Sequence, residues 1–205
     1  METITIRRGR PEDAGHFSRL SLFSAPSFLL HLFGHRVRSY LKNFFRHTRN
    51  FFSFEYSYFI EVNGETAGMA LLYDYTQKKR NGLLAHLLVL KYLKFGVFPR
   101  LKSLLKSAEL LDRIAERESY LGNVAIYPRF RGFGFGSRLL KKAEEEAGKA
   151  GNRRMVLHAE INNTKAIRLY ERLGYRIEEK LPEFKIRGTI FESFKMVKNL
   201  EIPSL

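Results

Sequence analysis

The chain has 205 residues, of which 44% are hydrophobic and none is cysteine. That length and apolar share can build a core and argue against disorder, while the missing thiols exclude disulfides, a cysteine nucleophile and a thiolate zinc site. A formal net charge of +15 predicts attraction to polyanions such as coenzyme phosphates, nucleic acid, acidic protein or anionic lipid, without choosing among them.

In chain order, Ile4 and Ile6 alternate with threonines and predict a first strand. Arg10, Pro11, Glu12 and Asp13 then make a turn that sets acids at the start of a first helix. Charges within residues 1–13 stand where a secretory signal needs its apolar stretch, so no targeting sequence is expected and the cytoplasm is the simplest placement. Residues 27–47 carry Phe28, Leu32, Val37, Tyr40, Leu41, Phe44 and Phe45 near helical spacing, which predicts a second helix running across Gly34. Residues 54–62 and 66–75 flank Asn63-Gly64, a pair suited to the positive φ angles of a tight hairpin, and read as strands two and three.

Residues 77–113 hold leucines at helical spacing on both sides of a break at 96–99, which predicts an inserted helical pair. Nine basic and two acidic residues give that segment its own balance of +7. Its most apolar run, residues 83–90, contains His86 and ends at Lys91, far short of the ~20 apolar residues of a membrane-spanning helix. From Ser119 the pattern is strand (120–127), glycine-rich turn, helix (137–150), strand (154–161), helix (164–173) and strand (175–179). A loop with Pro182 and Gly188 and a last strand (189–197) follow, and Gly151 and Gly174 sit where helix-ending glycines belong.

The strongest local signal is Arg131, Gly132, Phe133, Gly134, Phe135 and Gly136, placed between a strand and an amphipathic helix with Leu139, Leu140, Ala143 and Ala147 on one stripe. Glycines let backbone approach a ligand, and the unpaired N–H groups and positive dipole end of the helix hold anions. A dinucleotide fingerprint fails because Ser137 and Leu139 occupy the third-glycine positions, and no Gly-Lys-Ser/Thr supports a P-loop. A turn that serves packing alone is the plain alternative.

The stretch NVAIYPRFRGFGFGSRLL, followed by NNTKAIRLYERLGY, resembles the two signature motifs of GNAT N-acetyltransferases, from Ser119 onward. Arg131, Gly134 and Gly136 match the (Gln/Arg)xxGx(Gly/Ala) pattern, and Asn163, Ala166, Leu169, Tyr170 and Gly174 fit the second. The resemblance implies an α/β (α+β) fold in one domain over 1–205: a mixed, mostly antiparallel sheet of about six to seven strands flanked by helices, with the helical insertion between strands three and four. It also implies acetyl-CoA as co-substrate, no metal, and a primary amine of a small molecule, peptide or protein as acceptor. Carried over by position, Val124, Ala125 and Ile126 would line the acetyl-pantetheine arm, and Arg131, Gly132, Phe133, Gly134, Phe135 and Gly136 would hold the pyrophosphate. Asn163 would contact the coenzyme near its pantetheine, and Tyr170 would sit beside the thioester sulfur.

That chemistry needs a base, because a lysine-like amine with pKa ~10.4 is protonated at neutral pH, and an acid for the departing thiolate. Tyr170 suits the acid role, since a phenol at ~10 stays protonated above a thiol at ~8.5. His158 and Glu160 lie two apart on one strand, share a face, and are both candidate bases; His158 stands where some relatives that acetylate protein amino termini carry glutamate. Read plainly, Asn163 is a helix cap, Tyr170 a half-buried aromatic and His158 a hydrogen-bonded histidine. Bulky Phe133 and Phe135 are candidates for packing, and His31 and His35, four apart without a metalloprotease glutamate, read as a solvated helix face. Residues 27–54 interleave five basic residues with phenylalanines and contain no acid, so an RNA- or ribosome-associated basic binding protein on the same fold is the second reading. Oligomeric state is left open, a homodimer included.

Overall fold

The computed structural model describes residues 2–93, 114–186 and 188–201. β1 (Ile4–Arg8) leads through a turn into α1 (Ala14–Ser24). The helix predicted over 27–47 is two helices, α2 (Pro26–Phe33) and α3 (Val37–Arg46), because Gly34 takes φ 71° and turns the chain out of the first. β2 (Ser57–Val62) and β3 (Glu65–Asp74) form the expected hairpin, with Asn63 at φ 50° and Gly64 at φ 78°. β2 starts later than its pattern suggests, since Phe54–Tyr56 closes into a short 3-10 turn capped by the Ser53 hydroxyl.

α4 (Tyr75–Leu93) follows β3 directly and supplies the first helix of the predicted pair; the second, within 94–113, lies outside the described residues. β4 (Glu118–Ile126), α5 (Phe135–Lys149), β5 (Arg154–Glu160), α6 (Thr164–Arg172) and β6 (Arg176–Lys180) come next, as the pattern has them. The segment after β6 departs from it. Part of the predicted loop pairs as a hairpin of β7 (Phe184–Ile186) and β8 (Thr189–Phe191), and the last strand proper is β9 (Ser193–Asn199).

Seven strands form one sheet in the order β1-β2-β3-β4-β5-β9-β6, antiparallel throughout except for the parallel β4–β5 pair. Two apolar layers cover it. One gathers Phe17, Leu20, Phe33, Leu41, Phe44 and Phe45 of α1–α3 against Phe59, Met69, Tyr73, Tyr120 and Val156; the other sets Leu139, Leu140 and Ala143 of α5 against Ile60, Ala70, Leu121, Met155 and Leu157. A fully buried ring such as Phe45 contributes about 1.5–3 kcal/mol, which explains why α3 turns its phenylalanines inward. Arg36, Arg38, Lys42, Arg46 and Arg49 stay outside, so the interleaved sequence resolves into a core face and a cationic face. Phe44 and Phe45 are therefore not available for stacking on bases.

Candidate active site

The site begins with a separation of two strands. Glu118–Leu121 of β4 pair with Arg154–Leu157 of β5, and no pairing joins the two strands beyond, although β4 runs on to Ile126 and β5 to Glu160. Against β3, Leu71 faces Asn123 while Leu72 faces Leu121, so Gly122 is the extra residue of a bulge. The bulge bends β4 and the edge from Gly122 to Ile126 is left open toward β5, with Val124, Ala125 and Ile126 along it. An open edge offers strand-type hydrogen bonds to any extended chain laid beside it.

At the end of that edge lies the glycine loop. Gly132 and Gly134 adopt φ 88° and 78°, and a Cβ on either would meet no atom within 4 Å, so the constraint there is backbone conformation rather than crowding. Gly134 is the N-cap of α5 and supplies no side-chain cap, which leaves the first N–H groups of the helix and its positive dipole end for a ligand. Exposed Arg131 is oriented by its Nε, which donates to the Ile126 carbonyl at 3.1 Å, and by stacking over Phe23 at 5.9 Å. Phe133 is 66% exposed, whereas Phe135 is 4% exposed, its ring belonging to the α5-side core and only its backbone facing the loop.

Across the opening stand the titratable side chains singled out from the sequence. Tyr170 of α6 is half-buried beside Tyr175 (5.8 Å between rings), and burial pushes its hydroxyl up to about 12. Asn163 caps α6, its Oδ1 accepting the Ala166 N–H at 3.3 Å, so its plain role is the one the geometry displays. On the opposite face of the sheet His158 Nδ1 and the Tyr120 hydroxyl share a hydrogen bond of 3.2 Å, with the rings edge-on at 5.0 Å. Burial raises Tyr120 well above an ordinary phenol, and the nearby Tyr170 raises it further. Glu160 is half-buried two residues along β5, and desolvation raises its carboxyl above the usual range.

Sequence reasoning missed Tyr120. Alternation groups it with Gly122 and Val124, yet the bulge puts Tyr120 and Ala125 in the α1–α3 layer and leaves Val124 against the other. His31 is held within the fold, Nδ1 against the Ser27 carbonyl and Nε2 against Thr189 Oγ1 at 2.9 Å. Among the described residues no cluster of His, Cys, Asp and Glu is arranged to hold a metal, and no helix is long and apolar enough to cross a membrane.

Comparison with known proteins bears on the same region. The family profile described as Acetyltransferase (GNAT) family matches residues 28–175. GCN5-related N-acetyltransferase 4, chloroplastic, of Arabidopsis thaliana is 42% identical over 65 residues, covering 32% of this chain and 22% of that protein. N-alpha-acetyltransferase 30 of Homo sapiens is 32% identical over 72 residues, 35% of this chain and 20% of that one. L-methionine sulfoximine/L-methionine sulfone acetyltransferase of Salmonella typhimurium is 31% identical over 65 residues, 32% and 38% of the two chains. The matches thus span only about a fifth to two fifths of the length of these relatives. Among solved structures, an N-acetyltransferase from Staphylococcus aureus Mu50 gives a TM-score of 0.70 at 19% identity, covering 93% of this chain and 99% of that one. A putative acetyltransferase from Salmonella typhimurium with its cofactor acetyl-CoA gives 0.59 at 17% identity, covering 98% and 96%. These distant structures share the fold, and with the family profile matched across most of its length the chain belongs to the GNAT acetyltransferase family.

Proposed function

We propose that this protein transfers an acetyl group from acetyl-CoA to a primary amine. The observation that carries the reading is the parting of β4 and β5 beyond Leu121, with the uncapped start of α5 at its mouth. The residues present fit the coenzyme: Val124, Ala125 and Ile126 offer an extended edge, and Arg131 with the Gly132–Gly136 backbone offers donors and charge to a pyrophosphate. Asn163, with Oδ1 engaged in capping, has its Nδ2 to offer the pantetheine arm. Acetyl-CoA supplies the acetyl group already activated as a thioester.

The chain's own groups then handle the protons. His158 accepts the amine proton at Nε2 while Nδ1–H donates to Tyr120, which its surroundings keep protonated and which fixes the ring orientation. Glu160 is the alternative base, ~7 Å further along the strand at ~3.3 Å per residue. N–H groups on the open edge of β4 are donors for negative charge developing on the acetyl oxygen. Tyr170, protonated across the neutral range, gives its proton to the departing sulfur.

The test is direct. Acetyl-CoA should raise the melting temperature where NAD and ATP do not, and a panel of amines with labelled acetyl donor, read by mass, should yield an acetylated product and decide among small-molecule, peptide and protein acceptors. No shift with acetyl-CoA would end the reading. A second reading, RNA contact by the cationic face, rests on a specific observation: among the described residues Arg36, Arg38, Lys42, Arg46 and Arg49 form no ion pair, and residues 14–54 contain no acid at all. RNA retained at physiological salt with a steep salt dependence would favour it, and release at that salt would remove it.

A further inference from the structure

Asn123 is 8% exposed, yet its Oδ1 has no hydrogen-bond partner among the described residues. Buried amide oxygens are almost always satisfied, and one that is not is retained against its stability cost. The position of this one is informative. Asn123 follows the bulge residue Gly122 on β4, faces Leu71 of β3 in register, and lies on the stretch where β5 no longer pairs. It precedes Val124, which packs toward α5 and α6, and so belongs with Ala125 on the face that carries Tyr73, Tyr120 and Val156. The rings of Tyr73 and Tyr120 lie 3.5 Å from a Cβ built on Gly122, so the aromatic corner that holds His158 borders β4 at the residue before Asn123.

We propose that Asn123 is an acceptor-binding residue whose Oδ1 accepts a hydrogen bond from the attacking nitrogen of the primary-amine substrate. The inference rests on the acetyl-transfer reading and deepens it. A neutral carboxamide suits the task for a chemical reason: it orients an N–H without titrating. A carboxylate in its place would favour the ammonium form and oppose the proton loss that attack requires. Held by Asn123, the nitrogen gives its proton to the His158 side of the corner and keeps its lone pair for the acetyl carbon.

Asn123→Leu separates the possibilities, because it removes the orphaned oxygen while keeping the branching of the side chain. The expected result is an unchanged Kd for acetyl-CoA and a KM about tenfold higher for n-propylamine and for a peptide with a free amino terminus. Asn123→Asp should move the acidic limb of kcat/KM for the same amines to higher pH. A weakened Kd for acetyl-CoA would assign the amide to the coenzyme and overturns the proposal. So does an unchanged KM, or, where neither amine turns over, a carboxamide signal of Asn123 that does not respond to saturating n-propylamine. Failure of the parent to bind acetyl-CoA is a different result, which removes the transfer reading itself.

Discussion

Burial sets the protonation state of Tyr170 before any ligand arrives: with its hydroxyl pushed up to about 12, it stays protonated throughout the range in which amines become nucleophilic. Tyr170→Phe should therefore lower kcat by about 10²–10⁴-fold while leaving the Kd for acetyl-CoA unchanged, as read by steady-state kinetics and calorimetry. Because the folded value is raised to about 12, kcat should not fall on the alkaline side through ionisation of this group below the ordinary phenol range; a fall near pH ~8–9 traced to its ionisation would take the donor role from this residue. Tyr170 and Asn163 could be named as candidates from the sequence because the motif it resembles fixes their local spacing around one helix. Tyr120 and Asn123 could not, because their neighbours come from β3 and β5 and their face is set by a bulge no alternation pattern announces.

Among the elements, α5 couples the glycine loop to the sheet. Gly134 at φ 78° begins it, and a Cβ there meets open space, so Gly134→Ala should cost about 1–2 kcal/mol of stability from the backbone alone, with a weaker Kd for acetyl-CoA. Gly134→Asn should cost less, since asparagine tolerates the left-handed region; equal denaturation midpoints for both variants would contradict this account. At the other end Glu146 accepts hydrogen bonds from Lys142 at 2.9 Å, Lys149 at 3.2 Å and the Tyr58 hydroxyl at 3.1 Å. The Lys142 bond, ahead of the others, holds its carboxyl down at about 2, below the ordinary 4.5. A depressed carboxyl stabilises the fold above its unfolded value and loses that contribution as pH falls from 4.5 toward 2, so the melting temperature should drop through this window and Glu146→Gln should flatten the drop.

Over the whole molecule the charge of +15 is divided unevenly. Arg154 pairs with Glu118 at 2.8 Å and also with Glu178, Lys195 pairs with Glu178 at 2.8 Å, and Lys198 with Glu144 at 2.6 Å, tying β5, β6, β9 and α5 together, while the cations of α3 face solvent. Such a field draws in a polyphosphate ligand, so the Kd for acetyl-CoA should weaken as salt shortens the screening length from ~10 Å at 0.1 M to ~3 Å at 1 M. Arg131→Ala should make that dependence shallower, and an identical salt slope would place the charge elsewhere. The sequence by itself determined the elements built from near neighbours: the Asn63-Gly64 hairpin, the helix-ending Gly151 and Gly174, the glycine loop and the stripe of α5. Only the tertiary structure decided that β9 enters between β5 and β6, that β7 and β8 form a hairpin seated on α2 through Phe28 and His31, and that β4 and β5 part at Leu121. Turns and periodicities are written in residues a few positions apart, whereas strand order, bulge placement and the opening between two strands arise from contacts between segments far apart in the chain, which no local pattern records.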